Sequence, residues 1–171
     1  RELLARARVA QKQIEHLDQA AIDRAIQAVG WAAANEKTFT RIAHMGVEES
    51  GLGDWEGRKN KRFKIIGVLR DALRQKSVGI VEEIPEKGLV KYAKPVGVVA
   101  ALVPTTNPAL TPPGMGIYAL KAKNAVVFSP HPRAKNTTIE TVRIMREALR
   151  RIGLPEDLYV CAEKPSIPLA Q

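Results

Sequence analysis

The sequence predicts an α/β fold in which leading helices and a β-hairpin precede the first βαβαβ half of a doubly wound, Rossmann-like sheet. Three observations predict it. Apolar residues recur at helical spacing through about the first 75 positions. That period stops at Gly79, where two short strand-like runs flank a turn signal. Beyond Pro95, three near-continuous apolar runs alternate with two helical segments, the pattern of buried parallel strands and their crossovers.

In the first helix Leu3, Ala7, Ala10, Ile14 and Leu17 form one apolar stripe, which must pack on something. Asp18 is placed to cap a second helix carrying Ile22, Ala25, Ile26, Val29, Ala32 and Ala33. The period resumes in Phe39, Ile42, Ala43 and Gly46 and breaks at Gly51 and Gly53. A fourth helix is expected from about Trp55 to Gln75, with Ile65, Ile66, Leu69, Ala72 and Leu73 on one face. Ile80 to Ile84 and Leu89 to Ala93, around Pro85-Glu86-Lys87-Gly88, read as an exposed hairpin of the kind that adds to a neighbour's sheet. The parallel strands are expected at Val96 to Val103, Ala125 to Phe128 and Leu158 to Ala162. Thr111 with Pro112 is the expected start of the first crossover helix. Thr137 and Glu140, in capping-box spacing, are the expected start of the second, which ends at Gly153 with Pro155 beyond. The helical front (1–76), the hairpin (79–94) and the βαβαβ segment (96–163) are read as parts of one domain.

At 171 residues, with 45% hydrophobic and 26% charged, the chain can bury a core, which argues against disorder. No apolar run approaches the ~20 residues that span a bilayer, and the first eleven residues lack the apolar centre of a secretory signal. A soluble, cytoplasmic protein without a membrane partner is therefore expected. The single cysteine, Cys161, rules out an internal disulfide; with His16, His44 and His131 it makes no zinc-ligand spacing, so no metal is expected. Cys161 lies within a strand-like run with no histidine nearby in sequence, and reads as a small buried hydrophobe rather than a nucleophile. The formal charge of +9 raises nucleic acid as a partner. Yet the densest basic stretch, Arg58-Lys59-Asn60-Lys61-Arg62, has no interleaved aromatic residue for stacking. It reads as a solvated face, and no nucleic-acid partner is expected.

Ligands of open parallel sheets bind beyond the carboxyl ends of the strands, which singles out the loops Pro104 to Pro108 and Ser129 to Arg133. In the first, prolines stiffen a backbone that presents Thr105, Thr106 and Asn107. An amide there suits a developing oxyanion, and Asn-Pro is equally a good turn. The second sets a hydroxyl, an imidazole and nearby cations before a helix N-terminus. Ribose or phosphate binding and a merely proline-stiffened connection both fit. Gly114-Met115-Gly116 falls inside a helix and lacks the third glycine of a dinucleotide fingerprint, so packing against the sheet explains it better.

Lys94-Pro95-Val96-Gly97-Val98-Val99, then Pro104-Thr105-Thr106-Asn107-Pro108, then Asn124 to Lys135 (NAVVFSPHPRAK), resemble in order and spacing the coenzyme A-acylating aldehyde dehydrogenases. That group includes acetaldehyde, succinate semialdehyde and sulfoacetaldehyde dehydrogenases of the acylating type, and the aldehyde dehydrogenase half of bifunctional aldehyde-alcohol dehydrogenases. The resemblance runs along essentially the whole chain. It implies oxidation of a small aldehyde by NAD or NADP. A thiolate attacks the carbonyl, hydride passes to nicotinamide, and coenzyme A takes the acyl group. By position it implies that Asn107 steadies the thiohemiacetal oxyanion, that Val103, Pro104 and Thr105 line the nicotinamide side, and that Ser129, Pro130, His131 and Pro132 hold the adenosine ribose. Coenzyme A would use much the same channel, with Arg133 and Lys135 meeting phosphates.

Hydrolytic members of the superfamily carry a lysine and a ribose-binding glutamate where this chain has Ser129 and Pro132. Without the acidic group a ribose 2′-phosphate meets less opposition, so NAD and NADP both stay open. The resemblance further implies a homo-oligomer joined through the hairpin, and a catalytic cysteine and catalytic domain beyond Gln171, without which the chain would be inactive. Another helix is expected to begin within Pro165 to Gln171. A non-catalytic nucleotide-binding or assembly module on the same fold is the alternative. The aldehyde is not readable, although the basic composition leans toward an anionic one such as succinate semialdehyde or sulfoacetaldehyde.

Overall fold

The computed structural model describes residues 1–166. Helices α1 (Glu2–Gln13), α2 (Gln19–Ala34), α3 (Glu36–Ser50), α4 (Trp55–Lys59) and α5 (Arg62–Arg74) come first. The hairpin β1 (Gly79–Ile84) and β2 (Leu89–Ala93) follows. Then come β3 (Val98–Val103), α6 (Thr111–Lys121), β4 (Ala125–Pro130), α7 (Lys135–Arg151) and β5 (Tyr159–Cys161). The last three strands form a parallel sheet in the order β3-β4-β5, and among the described residues β1 pairs antiparallel with β2 alone. This is the predicted α/β architecture. Among the described residues no helix is long and apolar enough to cross a membrane. The helix expected within Pro165 to Gln171 falls, from residue 167 on, outside the described residues.

The apolar stripes converge on the sheet. Ala7, Ala10 and Ile14 cover one side of it, while Ile22, Ile26 and Val29 pack among Ile117, Leu120, Val142, Met145 and Leu149, all almost fully buried. Lys121, also buried, is paired with Asp23, which ties α6 to α2. The two glycines of Gly114-Met115-Gly116 do sit inside α6. A Cβ on Gly116 would lie 2.5 Å from Met145 Cε and 3.2 Å from the Tyr159 ring, and the Tyr159 hydroxyl donates to Gly116 O at 2.8 Å. Close packing of helix on sheet thus accounts for the glycine.

Asp18 caps α2 as expected, accepting from Ala21 N at 2.7 Å, and Gly51 ends α3 in the left-handed region at φ 65°. Other boundaries differ. The expected fourth helix is two helices, because Lys61 N, Phe63 N and Lys64 N bond three residues back rather than four, tightening the chain at Asn60 and Lys61. Ile66, expected on the apolar face, is 41% exposed. Thr111 does not cap α6. Asn107 O accepts from Leu110 N and Thr111 N instead, and Pro112 and Pro113 bring no N–H that needs a partner.

The Thr137–Glu140 capping box does not form either, since α7 begins at Lys135 and Thr137 is already inside it. Glu49, from α3, does the capping across space. Its carboxylate accepts from Asn136 N, Thr137 N and Thr137 Oγ1, each at 2.7 Å. Glu140 is engaged elsewhere, by Arg143 and Arg41, whose hydrogen bonds hold its carboxyl down at about 2. The strands also shift slightly. β3 starts at Val98 because Gly97, at φ 103°, turns the chain so that its N–H donates to Asn124 Oδ1 at 2.9 Å. β4 runs on to Pro130, two residues past the expected end.

Candidate functional site

Parallel pairing sets Leu102 beside Ser129 and Val103 beside Pro130, so β3 and β4 end level with one another. Just beyond, His131 N donates to Val103 O at 3.0 Å and fastens the second loop to the end of the first strand. Val103, Pro104, Ser129, Pro130, His131 and Pro132 thereby come together. With Leu102, Pro165 and Ser166 they line an open cleft of about 330 Å³. Its walls are mostly proline, with Leu102 and Val103, and its polar groups are few. His131 is exposed, and its Nδ1 accepts from Arg133 N at 3.1 Å. A neutral ring with Nδ1 so occupied carries its proton on Nε2, which is then a donor.

The other named residues are not in that lining. Thr105 lies half-buried in the turn. Arg133 is exposed and donates to Ser50 O at 3.0 Å, while Arg58 donates to Leu52 O at 2.7 Å; both cations converge on the carbonyl end of α3, where the helix dipole favours them. The N-terminus of α7, which the sequence offered to an anionic ligand, is filled by Glu49.

Asn107 sits on the other flank of the first loop. Its backbone carbonyl starts α6, so the turn reading of Asn-Pro holds, and its side chain is left for other work. Lys61 Nζ donates to Asn107 Oδ1 at 2.9 Å, and Asn107 Nδ2 makes a long bond of 3.3 Å to Thr106 Oγ1. Arg58, Lys61, Thr106 and Asn107 face a small recess there together with Phe39 and Leu110. Burial lowers the Lys61 pKa, helped by the nearby cations Arg58 and Lys64, and burial alone lowers that of Arg58. Lys61 and Glu49 both escaped the sequence reading. Lys61 stood in a basic run that looks solvated, and its partner lies 46 positions away. A close approach was missed as well: a Cβ on Gly46 would lie 3.2 Å from Arg58 Nη1 and 3.3 Å from Pro108 Cγ.

A larger depression, about 650 Å³, opens between α1, α7 and the outer edge of β5. It holds Cys161, but burial, and secondarily Glu163, pushes that thiol up to about 12, the opposite of what a nucleophile needs. Strand-end geometry, not size, therefore selects the smaller cleft. Among the described residues no group of His, Cys, Asp or Glu is arranged to hold a metal ion.

A parallel β3-β4-β5 sheet wrapped by crossover helices, with a cleft beyond its carboxyl ends, defines one half of a doubly wound α/β fold. Residues 1–166 match the aldehyde dehydrogenase family, and the chain belongs to that family. A sulfoacetaldehyde dehydrogenase from Acholeplasma sp is 47% identical over 97% of this chain and 34% of its own length. The succinate-semialdehyde dehydrogenase (acetylating) of Clostridium kluyveri is 38% identical over 97% of the chain and 36% of its own length. Among solved structures, an acetylating aldehyde dehydrogenase from Geobacillus thermoglucosidasius superposes with a TM-score of 0.92 at 38% identity, over 97% of this chain and 36% of that one. Rhodopseudomonas palustris propionaldehyde dehydrogenase with bound coenzyme A and an acylated cysteine gives 0.79 at 33% identity, over 98% and 38%. An engineered glycolyl-CoA reductase with bound NADP+ gives 0.80 at 32% identity, over 99% and 38%. The chain thus spans about a third of the length of these relatives.

Proposed function

We propose that this chain is the N-terminal part of the NAD(P)- and coenzyme A-binding domain of a cytoplasmic acylating aldehyde dehydrogenase, which oxidises an aldehyde to its acyl-CoA. The observation that carries the reading is the cleft where Val103-Pro104 meets Ser129 to Pro132, in a chain that matches acylating relatives almost end to end. Proline faces offer flat apolar contact to a nucleoside, and Ser129 and the His131 Nε2 donor suit its ribose hydroxyls. When bound, the nicotinamide cofactor supplies the hydride acceptor. Val103, Pro104 and Thr105 bound its nicotinamide side, and exposed Arg133 reaches toward phosphate with the donors that Ser50 leaves over. The Asn107 Nδ2 donates to the carbonyl oxygen as negative charge gathers there, while the thiolate comes from the remainder of the enzyme.

An anionic aldehyde is the proposed substrate class. The relatives named for sulfoacetaldehyde and succinate semialdehyde support it, as does the +9 charge. The test is reduction of NAD and NADP by the complete protein with sulfoacetaldehyde, succinate semialdehyde or acetaldehyde, with and without coenzyme A. Reduction that requires coenzyme A and yields a thioester is expected. Equal turnover without it, giving the free acid, would overturn the acylating assignment.

The hairpin is proposed to join subunits into a homo-oligomer. Leu89, Val90 and Tyr92 are 50%, 50% and 61% exposed on a sheet of two strands, more apolar surface than an isolated hairpin normally leaves to water. Light scattering on the complete protein should show a smaller assembly once Val90 and Tyr92 are both replaced by lysine; an unchanged mass would refute the assignment.

A further inference from the structure

We propose that Lys61 is a positioning residue for the reaction: it turns the Asn107 amide so that Oδ1 faces the ammonium and the NH2 faces the reacting carbonyl. The proposal rests on the acylating dehydrogenase reading of Asn107. A lysine ammonium only donates, so at 2.9 Å the atom facing it must be the amide oxygen. Flipping the amide would set donor against donor and lose a charge-assisted bond. On the far side, Nδ2 has, among the described residues, only the 3.3 Å bond to Thr106 Oγ1, a weak partner that an oxyanion can displace.

The charge matters as much as the geometry. In the stretch from Arg58 to Arg62, Lys59 pairs with Glu56 and Arg62 with Glu36, but among the described residues Arg58 and Lys61 bond only to neutral oxygens. Arg58 is 7% exposed and Lys61 is half-buried. Two poorly solvated cations, uncancelled by any carboxylate among the described residues, thus stand behind an amide that is read as an oxyanion donor. Their field favours negative charge on its far side and makes the amide N–H a stronger donor. The break between α4 and α5 is what brings Lys61 there, since it places the residue at the N-cap of α5 rather than in mid-helix.

The test uses the complete enzyme with Lys61→Met, Lys61→Gln and Lys61→Arg, each also combined with Asn107→Ala, assayed on sulfoacetaldehyde and on uncharged acetaldehyde. Lys61→Met should lower kcat about 10- to 100-fold on both aldehydes, with KM within about threefold, the size of one charge-assisted hydrogen bond. Lys61→Arg should recover most of that loss. In the Asn107→Ala background, Lys61→Met should cost nothing further, because the group it orients is gone. Thermal melting checks folding, and Lys61→Gln, which keeps a donor without the charge, serves if Lys61→Met is unstable. A wild-type enzyme that makes no acyl-CoA would overturn the enzyme reading and this proposal with it. An active wild type would overturn the Lys61 role alone in any of three cases: Lys61→Met and Lys61→Gln keep full kcat, the loss persists undiminished in the Asn107→Ala background, or the loss is confined to sulfoacetaldehyde. The last would mark Lys61 as a contact to the anionic tail.

Discussion

Replacing Asn107 by alanine in the complete enzyme is expected, on the oxyanion role proposed for it, to lower kcat about 10²- to 10³-fold while KM changes little, the usual cost of deleting one such donor. The fold should survive. The structural work of Asn107 is done by its backbone, whose carbonyl accepts from Leu110 and Thr111, and alanine keeps that carbonyl. The side chain bridges Lys61 and Thr106 at 2.9 and 3.3 Å. Asn107→Asp should be at least as inactive, because its carboxylate would pair with Lys61 and meet the developing oxyanion with a like charge. Steady-state kinetics with circular dichroism on the same samples checks both. A folded Asn107→Ala enzyme with wild-type kcat would remove Asn107 from the chemistry and return it to being a turn residue.

Glu49→Ala is expected to destabilise the fold by about 2 to 3 kcal/mol, more than an ordinary surface cap, because three hydrogen bonds to a carboxylate are lost together. Asn136 N, Thr137 N and the fully buried Thr137 would lose their acceptor at 2.7 Å. The helix so uncapped contributes Val142, Met145 and Leu149 to the core. Glu49→Gln, with one acceptor oxygen and no charge, should recover part of the loss. Urea denaturation gives the readout, as a fall in midpoint at constant slope. A midpoint unmoved by Glu49→Ala would mean that the first turn of α7 is satisfied without it. Because α7 follows directly on the Ser129 to Arg133 loop, the same substitution should also loosen the wall of the cleft.

The layered plan and the two loops follow from the order of residues along the chain. Helical and strand periods report which face of each segment turns inward, and a parallel sheet sends its strand ends to one crevice. Spacing alone therefore turns residues such as Ile26, Val103 and Phe128 to the interior, where they are buried. The motifs around Asn107 and His131 were legible for the same reason, since each lies within one continuous loop. Partners drawn from distant segments were not. Glu49 caps a helix 88 residues away, Lys61 reaches an asparagine 46 residues away, and the break at Asn60 that aims Lys61 leaves the apolar spacing undisturbed. The local capping box at Thr137 was a sound reading of four consecutive residues, and it lost to a carboxylate from another helix. Hydrogen bonds and charge pairs are made by whichever donor and acceptor the packed backbone brings within about 3 Å, and that proximity exists only once the tertiary structure has formed.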